Sequence, residues 1–572
     1  METFGKALQR REAASATVVR VGRLAFLACS AALLAGGGAA AALFAPGSDA
    51  AATTTGSTTT APASPPPLAT NVSTASSVVA FTGHGWGHGL GLSQWGAYGY
   101  ADHGLAYDKI LAHYYPGTTL GAARIAGVRV LVASRQKVTL ASTTPWTIVD
   151  STGAKVARDA GELTLDATFT VDGAPLQPPL KVTAKAPVSV AGHPYRGKLS
   201  VTLDGRLVDV VDTVGLEQYL KGVVPSEMPS AWPGAALEAQ AVAARSYALA
   251  NLTKGRPFDL YGDARSQVYG GIDAESQAAS AAVDATKGRV LLYNGKVADT
   301  FFFSTSGGRT VSALEATGID VPYLVSVADP YDTLSPYHDW GPVLYDAKAV
   351  AKQLKLSASI ASLSVVNGPS GRVKSVVASS ADDAQVTLTG NQVRSALGLR
   401  STWFSPALLQ LTPAAKTITY GGALSLRGLV HGTDGVTLEA KPVGGGWADA
   451  GPLTVAPDGT FALIVKPQVS TWYRLAWGDA RAGLAKVGVA ARVSAVVTPQ
   501  GVQGTLRPVA PGTPVQLQER QDDGTWSTLA SVFADDASAW SVPGQLAAGA
   551  YRVRAAPGHG VGAGVSAPFT VQ

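Results

Sequence analysis

Alanine and leucine recur at Leu237, Ala241, Ala244 and Ala248, spacings of i, i+4, i+7 and i+11 that predict a helix with one buried, small-residue face. The helix should start near Ser230 or Trp232, because Pro233 is tolerated in a first turn. Short helices are also expected near Tyr107–Tyr115 and at about Leu216–Lys221. Between them the pattern turns to alternation and short β-rich runs: Val128–Ala133, Lys137–Ala141, Trp146–Asp150, Leu163–Val171, Lys181–Ala184, Val188–Ala191 and Lys198–Val211. Asn294-Gly295 marks a tight hairpin within Gly288–Thr305. From about Ser405 only short β-runs remain. Gly428, Val436-Thr437-Leu438, Trp447 and Tyr473-Arg474-Leu475 return 76–79 residues later as Gly504, Val515-Gln516-Leu517, Trp526 and Tyr551-Arg552-Val553. This is a tandem repeat suited to immunoglobulin-like sandwiches. The expected class is α+β: a mixed domain over 79–405 with a β-rich insert at about 125–212, then all-β sandwiches over 406–492 and 493–572.

The amino terminus follows another logic. Arg10, Arg11, Arg20 and Arg23 precede an uncharged apolar stretch, Leu24–Ala45, which reads as an export signal or a single-span anchor within residues 1–50. Both readings fit its length, and if uncleaved the segment is the chain's one link to a membrane. Residues 51–78 are almost wholly Ala, Thr, Ser and Pro, a linker composition that buries no core. The single cysteine, Cys29, lies inside the apolar stretch, so the remainder has neither a disulfide nor a thiolate ligand. With 45 basic and 40 acidic residues the chain is mildly cationic, which suits an anionic wall. No basic cluster interleaved with aromatics points to nucleic acid.

Candidate chemistry gathers at Glu227, which Pro225 and Pro229 bracket in what should be a stiff turn. Met228 and Trp232 provide apolar neighbours that would raise its pKa and make it a general acid; an exposed loop glutamate is the competing reading. Upstream, Phe81–Gly99 alternates glycine with His84, Trp86, His88, Gln94, Trp95 and Tyr98. Glycine permits close backbone approach, and the rings and amide offer stacking and hydrogen bonds to a sugar. A histidine metal site and a Gly-rich loop with buried aromatics and no ligand are the alternatives. Ser304-Thr305-Ser306-Gly307-Gly308 is a small-residue strand end, ordinary in itself.

Several of these stretches share a resemblance. GVVPSEMPSAWPGAALEAQAVAARSYAL, ADTFFFSTSGGRT, VPYLVSVADPYD and VTLTGNQVRSALGLRSTWF resemble, in that order, motifs of the SpoIID/LytB family, the stage II sporulation protein D and amidase-enhancer group. GHGWGHGLGLSQWGAYGYADHGLAYDKILAHYYPGT resembles that family's glycine-histidine motif. The resemblance implies a lytic transglycosylase acting on peptidoglycan glycan strands, with Glu227 as its acid/base and no cofactor. A wall-binding modifier of a cell-wall amidase is the other activity it implies. It also makes Arg245, Gln267, Tyr269, Ser304, Ser306, Gly307, Gly308, His84, His88 and Gln94 candidates for substrate contact. Where many members carry two cysteines and a histidine that bind zinc, this chain has Tyr261, Arg265 and Ser266, so no metal is expected. Here the glycine-histidine motif precedes the Glu227 stretch, whereas in the sporulation proteins it comes last. Such a permutation requires Phe81–Thr118 to pack beside Leu397–Phe404 and near Glu227.

Overall fold

The computed structural model describes residues 75–123, 127–253 and 255–572. The apolar stretch Leu24–Ala45 and most of the linker lie outside the described residues. No described helix is long and apolar enough to cross a membrane.

Five helices frame the first core: α1 (Gln94–Asp102), α2 (Tyr107–Tyr114), α3 (Leu216–Glu227), α4 (Gly234–Ala250) and α5 (Gln277–Ala285). Leu237, Ala241, Ala244 and Ala248 of α4 are buried as their spacing requires. So are Ala236, Ala239, Gln240, Val242, Ala243 and Arg245. The helix is therefore enclosed on all sides, beyond the single buried face its periodicity indicates. Alanine is the reason, since it lets α1, α2, α3 and α5 all pack against it.

The β-rich insert follows the expected strands closely. Its seven-stranded sheet includes Val128–Arg135, Leu207–Val214, Lys198–Asp204, Leu180–Ala184 and Trp146–Val149 as successive neighbours. A four-stranded sheet holds Lys137–Ser142 and Val188–Val190. Leu163–Val171 is interrupted: the strand Gly161–Asp166 ends, and Phe169 takes φ 49 before Thr170–Val171.

The expected division at residue 405 falls at the start of a continuous strand, Phe404–Pro413. This strand pairs with Ser77–His84 on one side and Leu424–His431 on the other. Alternation explains why the ladder runs through the boundary. Ala407, Leu409 and Leu411 face one core together with Leu438 and Tyr473, while Phe404 and Leu408 face a second with Val350 and Leu363. Val78 and Ala80 likewise share the first core, and Val79 and Phe81 the second. Composition changes at residue 405, but the hydrogen-bonded sheet serves both cores. Beyond it the chain is all β. Its first repeat packs this five-stranded sheet on another, and its second repeat has a separate core around Val515, Leu517, Trp540 and Tyr551.

The packing required by the permuted motif order is present. Gly83 pairs with Phe404, the His84 amide donates to the Trp403 carbonyl at 2.9 Å, and the Gly87 amide donates to that of Arg400 at 3.0 Å. Close approach also fixes α1. A Cβ at Gly96 would lie 2.0 Å from Tyr114 Oη and 2.3 Å from Asp329 Oδ1, two groups already joined by a 2.8 Å hydrogen bond. Gly96→Ala is expected to cost about 2–3 kcal/mol, read as a lowered midpoint in denaturant unfolding.

Candidate active site

Glu227 is the last residue of α3, which runs about six residues past its expected end near Lys221 and takes in the stretch expected as a turn. Pro225 sits inside the final helical turn and Val224 before it stays helical, against the usual pre-proline bias. The break comes at Met228, whose φ of −128° and ψ of 141° match the extended geometry that Pro229 demands. The side chain of Glu227 is half-buried, so solvent still reaches it. Burial pushes its pKa up to about 7. The Val268 amide, donating to Glu227 Oε1 at 2.9 Å, and the Gln94 side chain favour the carboxylate and oppose that rise. No other carboxylate is among the groups that set its titration.

Gln94 opens α1, and Ser93 caps it by accepting from the Gly96 amide at 3.2 Å. Trp95 follows, its ring 4.8 Å from that of Trp232, with Tyr98 5.1 Å from Trp232. These three half-buried rings form a cluster that begins one residue after Gln94. Ser304 joins them through its backbone. The segment after the Asn294-Gly295 hairpin leaves that hairpin, and Phe302–Phe303 pairs in parallel with Leu92–Ser93, so the Ser304 carbonyl accepts the Trp95 amide at 3.0 Å.

Gln94→Ala removes a donor that stabilises the carboxylate. The Glu227 pKa should then move further up, shifting the alkaline limb of any pH–rate profile that depends on this acid to higher pH while the maximal rate falls about tenfold. Loss of rate with an unmoved limb would mean that Gln94 acts elsewhere.

Other expected contacts prove to be structural. Gln267 and Tyr269 are buried: Tyr219 donates to Gln267 Oε1 at 3.1 Å, Gln267 donates to the Ala244 carbonyl at 3.2 Å, and Tyr269 donates to Asp212 Oδ2 at 3.1 Å. Their work is to hold Val268 between them, with its amide aimed at Glu227. In the stretch weighed above as a zinc site, the Arg265 guanidinium clasps Asp263 at 2.9 and 2.6 Å and lies 3.9 Å over the Tyr261 ring. Ser266 Oγ accepts the Tyr261 amide at 3.1 Å. An arginine and no thiolate do not fit zinc.

Arg245 is turned inward as well. It is fully buried, paired with Glu217 at 2.6 Å, and donates to the carbonyls of Val283 and Arg289. The amides of Gly307 and Gly308 and the hydroxyl of Ser306, expected to meet a ligand, all go to Asp332 Oδ2, at 2.6, 3.2 and 2.7 Å. His338 Nδ1 sits 2.7 Å from the other oxygen of that buried carboxylate. The sequence carried a signal for this, because Asp329 and Asp332 both belong to the VADPYD stretch. Both His88 nitrogens are engaged, one with the Phe302 carbonyl and one with the Leu90 amide, and burial pushes its pKa down to about 3. His84 is partly exposed and lies 2.5 Å from Asp339. No cluster of metal-ligating residues occurs among the described residues.

The fold is mixed, and one carboxylate is held at a helix end between an amide and a carboxamide. The stage II sporulation protein model, SpoIID, matches residues 205–293, which contain Glu227 and Val268. A stage II sporulation protein D of Bacillus amyloliquefaciens is 32% identical over 271 residues, covering 44% of this chain and 73% of that protein. The chain therefore belongs to the stage II sporulation protein D family. An uncharacterized protein of Brachyspira hyodysenteriae is 41% identical over 139 residues, and the amidase enhancer of Bacillus subtilis (strain 168) is 38% identical over 138. Each match covers 24% of this chain, but only 38% and 18% of those two relatives' lengths.

Proposed function

We propose that this chain is an exported peptidoglycan-remodelling enzyme, a lytic transglycosylase in which Glu227 serves first as acid and then as base. The observation that carries the reading is a solvent-reached glutamate with a pKa near 7, held by the Val268 amide and the Gln94 side chain beside Trp95 and Trp232. Protonated Glu227 gives its proton to the bridging oxygen as the bond between N-acetylmuramic acid and N-acetylglucosamine breaks through an oxocarbenium-like state. The resulting carboxylate takes the proton from the muramoyl C6 hydroxyl, whose oxygen attacks C1 and leaves a 1,6-anhydro end. One carboxylate suffices, in keeping with the absence of a second acid from the groups that shift Glu227. Gln94 and Ser304, with the partly exposed His84, are the polar groups placed to meet the sugar, and Trp95, Tyr98 and Trp232 the stacking surfaces. The apolar amino-terminal segment directs the chain out of the cytoplasm as a cleaved signal or an anchor. The two-sheet repeats serve as immunoglobulin-like modules.

The name of the Bacillus subtilis relative supports a second reading, in which the same groove binds glycan and stimulates a separate amidase. Mass spectrometry of peptide-free glycan strands and of intact peptidoglycan, each incubated with the chain or its Glu227→Gln variant, separates the two. Anhydro-ended products that vanish in the variant are expected. Reducing ends would mean hydrolysis by water, and no product from either substrate would favour the amidase modifier.

A further inference from the structure

In the second repeat, Pro514–Arg520, Trp526–Phe533 and Gly549–Ala555 form one sheet. Val515, Leu517, Tyr551, Val553 and Ala555 turn inward to the core. Alternation sends Gln516, Gln518, Arg520, Arg552 and Arg554 to the opposite face. The register places Gln516 beside Arg554, Gln518 beside Arg552, Arg520 beside Trp526 and Pro514 beside Phe533. Arg552 donates to Gln518 at 2.8 Å and stacks 4.3 Å over Trp526, and Arg554 donates to Gln516 at 3.3 Å. Phe533 is 73% exposed at the edge. The only acid in these strands, Glu519, is on the inner side, where it accepts from Tyr551.

The first repeat carries the same device in a closed form. Arg474 stacks 3.9 Å over Trp447, but Glu439, which occupies the position of Gln518, binds both Arg474 and Arg481 at 2.7 and 2.8 Å. Replacing that carboxylate by an amide leaves the guanidiniums of the second repeat without an ionic partner on their own face. Three arginines, the Gln516 carboxamide and two aromatic rings then share a strip roughly 20 Å long, Gln518 being buried behind it. Guanidinium forks suit carboxylate or phosphate oxygens, amides suit sugar hydroxyls, and rings suit the apolar face of a pyranose.

We propose that this outward face binds an anionic polysaccharide, independently of the cleft around Glu227. The test is calorimetric titration of the full chain with polygalacturonate, with neutral dextran, inorganic polyphosphate and duplex DNA alongside. Polygalacturonate should bind, more weakly as salt rises, and dextran should not. R520Q/R552Q/R554Q should weaken binding about tenfold or more, and F533S, which keeps every charge, severalfold. Should the triple variant melt early, R520Q/R554Q, which spares the Trp526 stack, carries the test. Unchanged affinity in the arginine variants, no binding of polygalacturonate, or polyphosphate or DNA binding as tightly as the uronate would each overturn the proposal. An unmoved F533S would remove the sugar-reading part.

Discussion

Glu227→Gln is expected to abolish glycan cleavage, by at least about a thousandfold, while making the protein more stable near neutral pH. The two effects share one cause. Burial raises the folded pKa from 4.5 to about 7, so between those values the folded chain holds a proton that the unfolded chain has released. Stability from this group is therefore complete below pH 4.5 and declines as pH rises toward 7. A glutamine has no proton to lose. With the partial exposure of the site discounting the full shift, the variant should gain about 2 kcal/mol over the wild type at pH 8 and nothing at pH 4. Urea titrations at both pH values measure this directly. Activity should follow the protonated fraction, with an alkaline limb near pH 7. If the variant is no more stable at pH 8 than at pH 4 relative to wild type, Glu227 is an ordinary surface carboxylate and cannot be the acid.

Much of this site was legible in the chain because it is local. Glu227, the proline after Met228 and the alanine spacing of the following helix lie within one short stretch, whereas the amide and carboxamide that hold the acid come from Val268 and Gln94 elsewhere in the chain. Contacts made across the fold were less legible. Ser306, Gly307 and Gly308 form a concave run of donors whichever ligand fills it, and nothing local says that Asp332 does. Gln267 and Tyr269 flank the residue that matters, Val268, whose contribution is a backbone amide and leaves no mark in its side chain. The strand Phe404–Pro413 shows the same limit at the level of domains. Its composition marks a boundary, yet its alternating residues belong to two cores, and only the register of Ser77–His84 reveals that one sheet holds both.

Arg245→Ala should be the most damaging single change away from the acid, at about 3–5 kcal/mol. The guanidinium is wholly inaccessible and ties three elements together: Glu217 on α3 through Nε and Nη2 at 3.0 and 2.6 Å, the Val283 carbonyl on α5 at 3.2 Å, and the Arg289 carbonyl at 3.1 Å. Truncation takes a charged donor from the Val283 and Arg289 carbonyls and leaves Glu217 without its counter-ion, so the loss is large against a total stability of about 5–15 kcal/mol. Lysine should rescue little, because a point charge cannot span the fork. Glu217→Gln in the Arg245→Ala background removes the stranded charge, and the double variant should therefore cost less than the sum of the singles by about 1–3 kcal/mol. The same variants separate structure from substrate binding. Arg245 is wholly inaccessible and acts on the cleft through the helix it supports, so the folded fraction of Arg245→Ala at low temperature should cleave with the wild-type KM. A raised KM at unchanged unfolding midpoint would place Arg245 in the substrate groove after all.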